Sequence, residues 1–175
     1  MSSRQQIVEA ALDRVRAGES VSLNTVATQV GLSKPGLMYH FPTKEALMLA
    51  LVDYVLDCWE RELERRLEGP LDQAGARDRL RAYLDWSLAG EIDQGDLAML
   101  ADVKLRPLLT AHWMERMRPW VETPEGLTAH QRTRLTAVRL IADGIWIGDA
   151  LALGALDAEE RHSIRALAYD ILEKT

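Results

Sequence analysis

Apolar residues recur along this chain at three- and four-residue intervals, and no strand-like run interrupts them, so its elements read as helices. A first helix spans about Arg4 to Ala17, with Ile7, Val8, Ala11, Leu12 and Val15 on one face. Leu23, Val26, Ala27 and Val30 mark a second, short helix, with Ser22 before them as its N-cap. Gly31 can take the left-handed conformation that closes that helix. Ser33 then offers another cap, and Pro35 falls in a first turn, where its missing N–H is not needed. Two helices so closely joined, with Val26, Val30, Leu32 and Leu37 to pack between them, form a helix-turn-helix. Thr43 caps the next helix, which runs to about Leu67. It is apolar at first (Leu47, Leu51, Tyr54, Val55), then densely charged from Glu60 to Glu68, and Gly69-Pro70 end it.

The second helix of such a pair enters the major groove N-terminus first. That docking would bring Ser33, Lys34, Pro35, Gly36, Tyr39 and His40 against bases and phosphates. Lys34 supplies a cation, Gly36 lets backbone approach DNA closely, and Tyr39 and His40 present ring edges with polar tips. Lys44 opens the following helix, where a cation opposes the helix dipole unless an anion answers it. A DNA phosphate at that N-terminus would do so.

The run Val26-Ala27, Gly31-Leu32-Ser33-Lys34, Leu37-Met38-Tyr39-His40-Phe41 and Lys44-Glu45-Ala46-Leu47 closely resembles the N-terminal signature of the TetR family of bacterial transcriptional regulators (TetR/AcrR type), up to about Val55. Many members carry a tyrosine where this chain has Met38. The resemblance implies an all-α homodimer with an N-terminal three-helix, helix-turn-helix DNA-binding head. A long helix joins that head to a C-terminal helical bundle that binds a small-molecule inducer and dimerises. It also implies DNA-contacting roles for Ser22 and Asn24 at the start of the first motif helix, for Lys34, Gly36, Tyr39 and His40 in the second, and for Lys44 beyond it. The expected division is a DNA-binding domain over residues 1–45 and a ligand-binding and dimerisation domain over 46–175.

Beyond the head, helical patterns cover about Ala74 to Leu88, Asp93 to Leu105, Leu108 to Val121, Thr128 to Leu153 and Asp157 to Glu173. Gly90, Pro107, Pro124-Glu125-Gly126 and Gly154 separate them. On the helix from Thr128, residues Ile141, Gly144, Ile145, Gly148 and Ala152 share a side whose small residues allow close approach of another helix. With Ile164, Leu167, Ala168 and Ile171 of the last helix they are read as a two-fold dimer interface, the alternative being that both helices complete the subunit core. The opposite arc carries Asp143, Trp146 and Asp149 in an apolar setting. A carboxylate there needs a partner, either Arg139 one turn before Asp143 or a cationic ligand.

Five tryptophans and six methionines extend that idea. Aromatic faces with carboxylates suit lipophilic cations, so the candidate ligand-binding residues are Trp86, Met99, Asp102, Trp113, Met117, Trp120, Asp143, Trp146 and Asp149. Core packing is the other reading of each tryptophan.

A net charge of −6 argues against nucleic acid until its distribution is seen. Residues 1–50 hold five basic against four acidic residues, and the remainder 16 basic against 23 acidic, so the end that would face DNA is the less acidic one. No apolar stretch is long enough to cross a bilayer and no charged leader precedes an apolar core, so a cytoplasmic location without membrane partners is expected. The single cysteine, Cys58, excludes an intrachain disulfide. His40, His112, His130 and His162 are far apart, and no phosphate loop, HExxH, CxxC or GxSxG occurs. An enzyme is therefore not expected, nor a cofactor or metal. The leading reading is a homodimeric repressor of an efflux or catabolic operon, bound to palindromic double-stranded operator DNA and released by a small aromatic or cationic inducer. The alternatives are a helical protein-interaction module and an activator without small-molecule inducer.

Overall fold

In the computed structural model, which describes residues 3–92, 94–154 and 156–174, the described residues form helices and turns only. The order is α1 (Ser3–Arg16), α2 (Leu23–Gln29), α3 (Lys34–His40), α4 (Lys44–Glu64), a short 3-10 turn (Leu71–Gln73), α5 (Ala76–Ser87), a 3-10 segment (Gln94–Leu100), α6 (Arg106–Val121), α7 (Ala129–Ala150) and α8 (Ala158–Glu173). Side chains set the starts of several of these helices. Ser22 and Thr25 close a reciprocal capping box on α2, Thr128 and Gln131 do so on α7, and Asp157 and Glu160 on α8. Thr43 Oγ1 accepts from the Ala46 N–H to open α4 at 3.1 Å.

The chain divides into two compact units, Met1–Cys58 with Asp93–Arg116, and Trp59–Ile92 with Met117–Thr175. The first buries Ile7, Ala11 and Leu12 of α1, Val26 and Ala27 of α2, Leu37 of α3, Phe41, and Leu47, Met48, Leu51, Val52 and Leu56 of α4. There α1 packs against α2 and the 3-10 segment, and α2 against α3. The second unit buries Trp59 and Leu63 of α4, the inner face of α5, Met117 and Trp120, and Leu135, Val138, Ala142 and Trp146 of α7. In it α7 packs on α5 and α8.

Three expectations are corrected. The pattern from Asp93 to Leu105 does not form an α-helix: a 3-10 segment with non-helical backbone at Leu97 (φ −90°, ψ 19°) ends at Leu100, and Asp93 lies outside the described residues. Asp102 Oδ1 takes the N–H groups of Lys104 and Leu105 at 2.8 and 3.0 Å, a side-chain turn that competes with helical pairing. Pro107, expected to precede a helix, sits inside the first turn of α6, where proline is tolerated.

The third correction concerns the end of α7, which stops at Ala150 instead of reaching Leu153. The N–H of Leu153 bonds Gly148 O at 2.9 Å and that of Ala152 bonds Asp149 O at 3.1 Å, with Ala152 left-handed at φ 52°. This is the same closure that Gly31 makes after α2 at φ 70°, where Leu32 N–H bonds Ala27 O at 2.9 Å. Alanine adopts it at a cost of roughly 1–2 kcal/mol. Ala152 is therefore off the helical strip to which its spacing assigned it.

Candidate nucleic-acid interface and buried aromatic cluster

Helix α3 is short, so it depends on its ends and its seam. Ser33 Oγ accepts the Gly36 N–H at 3.2 Å, Pro35 occupies the first turn, and Phe41 N–H closes the helix on Leu37 O. Leu37 and Phe41 are fully buried. Arg4 of α1 locks the far end: its guanidinium lies 4.3 Å from the Phe41 ring centroid, and Nη1 donates to His40 O at 3.0 Å. The sequence reading missed Arg4, whose role depends on a partner 36 residues away. A Cβ at Gly36 would meet Ser33 Oγ at 3.2 Å, so this glycine also keeps room for the cap.

What this places outward is a fixed polar edge. Ser33, Lys34 and Pro35 are exposed, and Tyr39 is 86% exposed with its ring edge-on to His40 at 5.4 Å. Gly36 and His40 are half-buried, as is the cap Ser22, while Asn24 is exposed on α2. An 86% exposed tyrosine on a helix whose other face is sealed has no role in the packing of its own unit. Lys44 differs from the rest. Its ammonium is ion-paired to Asp102 Oδ2, which that lysine, together with the Leu105 and Lys104 N–H groups, holds below the usual carboxylate range. Asp102, expected on a ligand-pocket wall, is thus engaged inside the first unit.

Nearby in that unit, α6 is tied to α4 by charge. Asp53 Oδ1 meets His112 Nε2 at 2.7 Å and Arg116 Nη1 at 3.0 Å, and Asp57 meets Arg116 Nη2 at 2.9 Å.

The nine residues expected around a ligand are divided. Met99, Asp102 and Trp113 belong to the first unit, and Trp86, Met117, Trp120, Asp143, Trp146 and Asp149 to the second. In the second unit Trp59 packs on Trp86 (centroids 4.3 Å apart) and edge-on to Trp146 (5.0 Å), while Tyr83 stacks on Trp86 (5.8 Å). Tyr83 organises the polar centre of this cluster. Its hydroxyl donates to Asp143 Oδ1 at 2.7 Å and accepts from Trp146 Nε1 at 2.8 Å. Burial, then the Asp143 charge, push that phenol well above its ordinary value, so it remains a donor. Arg139 stands 3.5 Å from the other Asp143 oxygen, the local partner its spacing suggested.

Asp149, by contrast, has both carboxylate oxygens 2.9 Å from Nη2 of Arg161, so its charge is answered from α8. Tyr83→Phe is expected to destabilise the chain by about 1–3 kcal/mol, because it leaves a carboxylate oxygen and an indole N–H without their shared partner. Thermal melting beside wild type checks this, and an unchanged midpoint would refute it.

The expected dimer strip is also redistributed. Ala168 is fully buried and Ile145 only 8% exposed within their own unit, so both serve the subunit core. Ile141, Gly148, Ile164 and Ile171 are half-buried and Gly144 and Leu167 exposed. Leu140, Ile147 and Leu151 add exposed apolar surface on or just after α7. A Cβ at Gly144 or Gly148 would meet no atom within 4 Å. Leu140, Ile141, Gly144, Ile147 and Gly148 border a shallow groove with Leu153 and Leu156. Among the described residues no helix is long and apolar enough to cross a membrane.

Two stretches of the chain match known protein families. Residues 16–51 match the signature of "Bacterial regulatory proteins, tetR family" and residues 77–167 that of "Tetracyclin repressor-like, C-terminal domain". The HTH-type transcriptional regulator RutR of Escherichia coli (strain K12) is 32% identical over 88 residues, 49% of this chain and 42% of that protein. The match thus spans less than half the length of this relative, and the same holds for RutR of Shigella flexneri. The fold is similar to that of the multidrug binding protein EbrR, solved with imidazole (TM-score 0.61, 20% identity, covering 98% of this chain and 95% of that one). It is also similar to that of a TetR-family member from Streptomyces coelicolor A3 (TM-score 0.63, 21% identity, covering 97% and 98%).

Proposed function

Since the chain belongs to the TetR family of bacterial regulatory proteins, we propose that it is a homodimeric, ligand-responsive repressor that reads a palindromic operator through α3. The observation that carries this is the edge of α3, where Ser33, Lys34, Pro35 and Tyr39 are exposed on a helix capped at its start and fixed at its end by Phe41 and Arg4. Such an edge presents a cation and a phenol with little ordering left to do on binding. Residues 1–45 form the reading head in this account, and 46–175 carry dimerisation and inducer binding.

Dimerisation uses the outward strip of α7 and α8, where Leu140, Ile147, Leu151 and Leu167 project beside Gly144 and Gly148. A second copy covers the same strip in an isologous contact. The inducer belongs with the aromatic cluster of Trp59, Tyr83, Trp86 and Trp146 around Asp143, whose chemistry suits a small aromatic or cationic compound. The multidrug binding protein EbrR, to which the fold is similar, fits an inducer of this general kind, and an efflux operon is the target proposed with it. The inducer must favour the DNA-incompetent state by a few kcal/mol to empty the operator.

Selection from a random library of duplexes by the purified chain tests the reading. Enrichment of an inverted repeat is expected, because a two-fold protein reads two half-sites related by a dyad. Recovery of no sequence preference would overturn it.

A further inference from the structure

We propose that Asp102 is a built-in competitor for the cation with which Lys44 meets a DNA phosphate, and so weakens DNA binding and its salt dependence; this rests on the DNA-binding reading above. Lys44 is the first residue of α4, where the helix dipole disfavours a cation and favours an anion. The anion present there is a carboxylate from the same unit: Asp102 Oδ2 is paired to the Lys44 ammonium.

Nor is this carboxylate a drifting surface group. Its Oδ1 is pinned by the Lys104 and Leu105 N–H groups at 2.8 and 3.0 Å, and its side chain is 16% exposed against 38% for Lys44. The ammonium therefore stays reachable from solvent while its charge is neutralised by a fixed partner. A phosphate arriving at this helix start must share or displace Asp102, and a lysine whose charge is already answered neutralises no phosphate and so releases none of the counter-ions condensed on DNA. In a chain of net charge −6, this restrains adsorption to DNA of any sequence.

Asp102→Asn tests the idea, because an amide oxygen can still accept the two backbone N–H bonds while the charge is gone. Fluorescence anisotropy of the full chain over a salt series uses the selected duplex and a scrambled duplex of equal length. D102N is expected to bind both duplexes more tightly, by about threefold per head. The slope of log affinity against log salt should steepen by about 0.9 for each further phosphate neutralised. With Lys44→Ala already present, D102N should no longer steepen the slope, because no lysine is released to neutralise a phosphate. Equal or weaker binding by D102N with the slope unchanged, while wild type binds the selected duplex specifically, overturns this inference alone and makes Asp102 a support for Lys44. If wild type itself enriches no duplex, the DNA-binding reading falls and takes this inference with it.

Discussion

Replacing Lys34 and Tyr39 together by alanine is expected to weaken binding to the selected duplex about a thousandfold while leaving the fold intact. Both side chains are exposed on α3, and the caps of that helix are made by Ser33 and by Phe41 N–H. Surface changes of this kind move stability by no more than about 0.5 kcal/mol. Removing one hydrogen bond to DNA costs about 1 kcal/mol, and removing two from each of two heads costs about 4 kcal/mol, or about a thousandfold. The two residues differ in signature. Lys34→Ala alone should weaken all sequences alike and lower the salt slope by about one for each phosphate it no longer neutralises, whereas a base contact through Tyr39 would relax preference at one position of each half-site. Anisotropy across a salt series measures both, with circular dichroism as the folding control. A double variant that binds like wild type would remove α3 from the interface.

Phe41→Ala should have the largest effect on stability, a loss of about 3–5 kcal/mol. The ring is fully buried beneath α3, and Arg4 lies over its face at 4.3 Å, an attraction worth about 0.5–1 kcal/mol more. Truncation leaves a cavity that the short α2 and α3 can collapse into only by moving, and it removes the platform that holds Arg4 against His40 O. A domain with about 5–15 kcal/mol in total would lose much of its margin. At about 2–4 °C per kcal/mol for a chain of this size, the melting midpoint should fall by roughly 6–20 °C. Arg4→Ala keeps the ring and loses only its cover, so its shift should be a small fraction of that. Equal midpoints for Phe41→Ala and wild type would contradict the packing described for the head.

The helix starts and turns of the head were legible in the sequence because the signals that set them are local. Ser22 and Thr25, Gly31, Ser33 and Pro35, and Thr43 lie within a few residues of the groups they satisfy. The starts of α7 and α8 were legible for the same reason. What escaped depends on pairing across the chain. Tyr83 was not singled out because its partners, Asp143 and Trp146, are 60 and 63 residues away. Asp149 looked like an unpaired acid on one arc of α7 until Arg161 of α8 was seen to hold it. Lys44 looked free for phosphate because nothing near it in sequence announces Asp102.

Periodicity also misled in two places. Between Asp93 and Leu105 the pattern reads as a helix, but Asp102 captures backbone donors that the helix would need. On α7 it told which residues share a face but not which face meets the subunit's own core. Ile145 is buried there, and Leu140 and Ile147 are exposed.

The proposed repressor stands or falls on whether α3 reads a specific DNA sequence under the control of a small molecule. Fluorescence anisotropy of the purified chain at fixed salt, on the selected duplex and its scrambled counterpart, tests it most directly, with aromatic cations titrated into the bound complex. Binding to the selected duplex about a thousandfold tighter than to the scrambled one is expected, with release as an aromatic cation is added. Equal affinity for both duplexes at the same salt would contradict it.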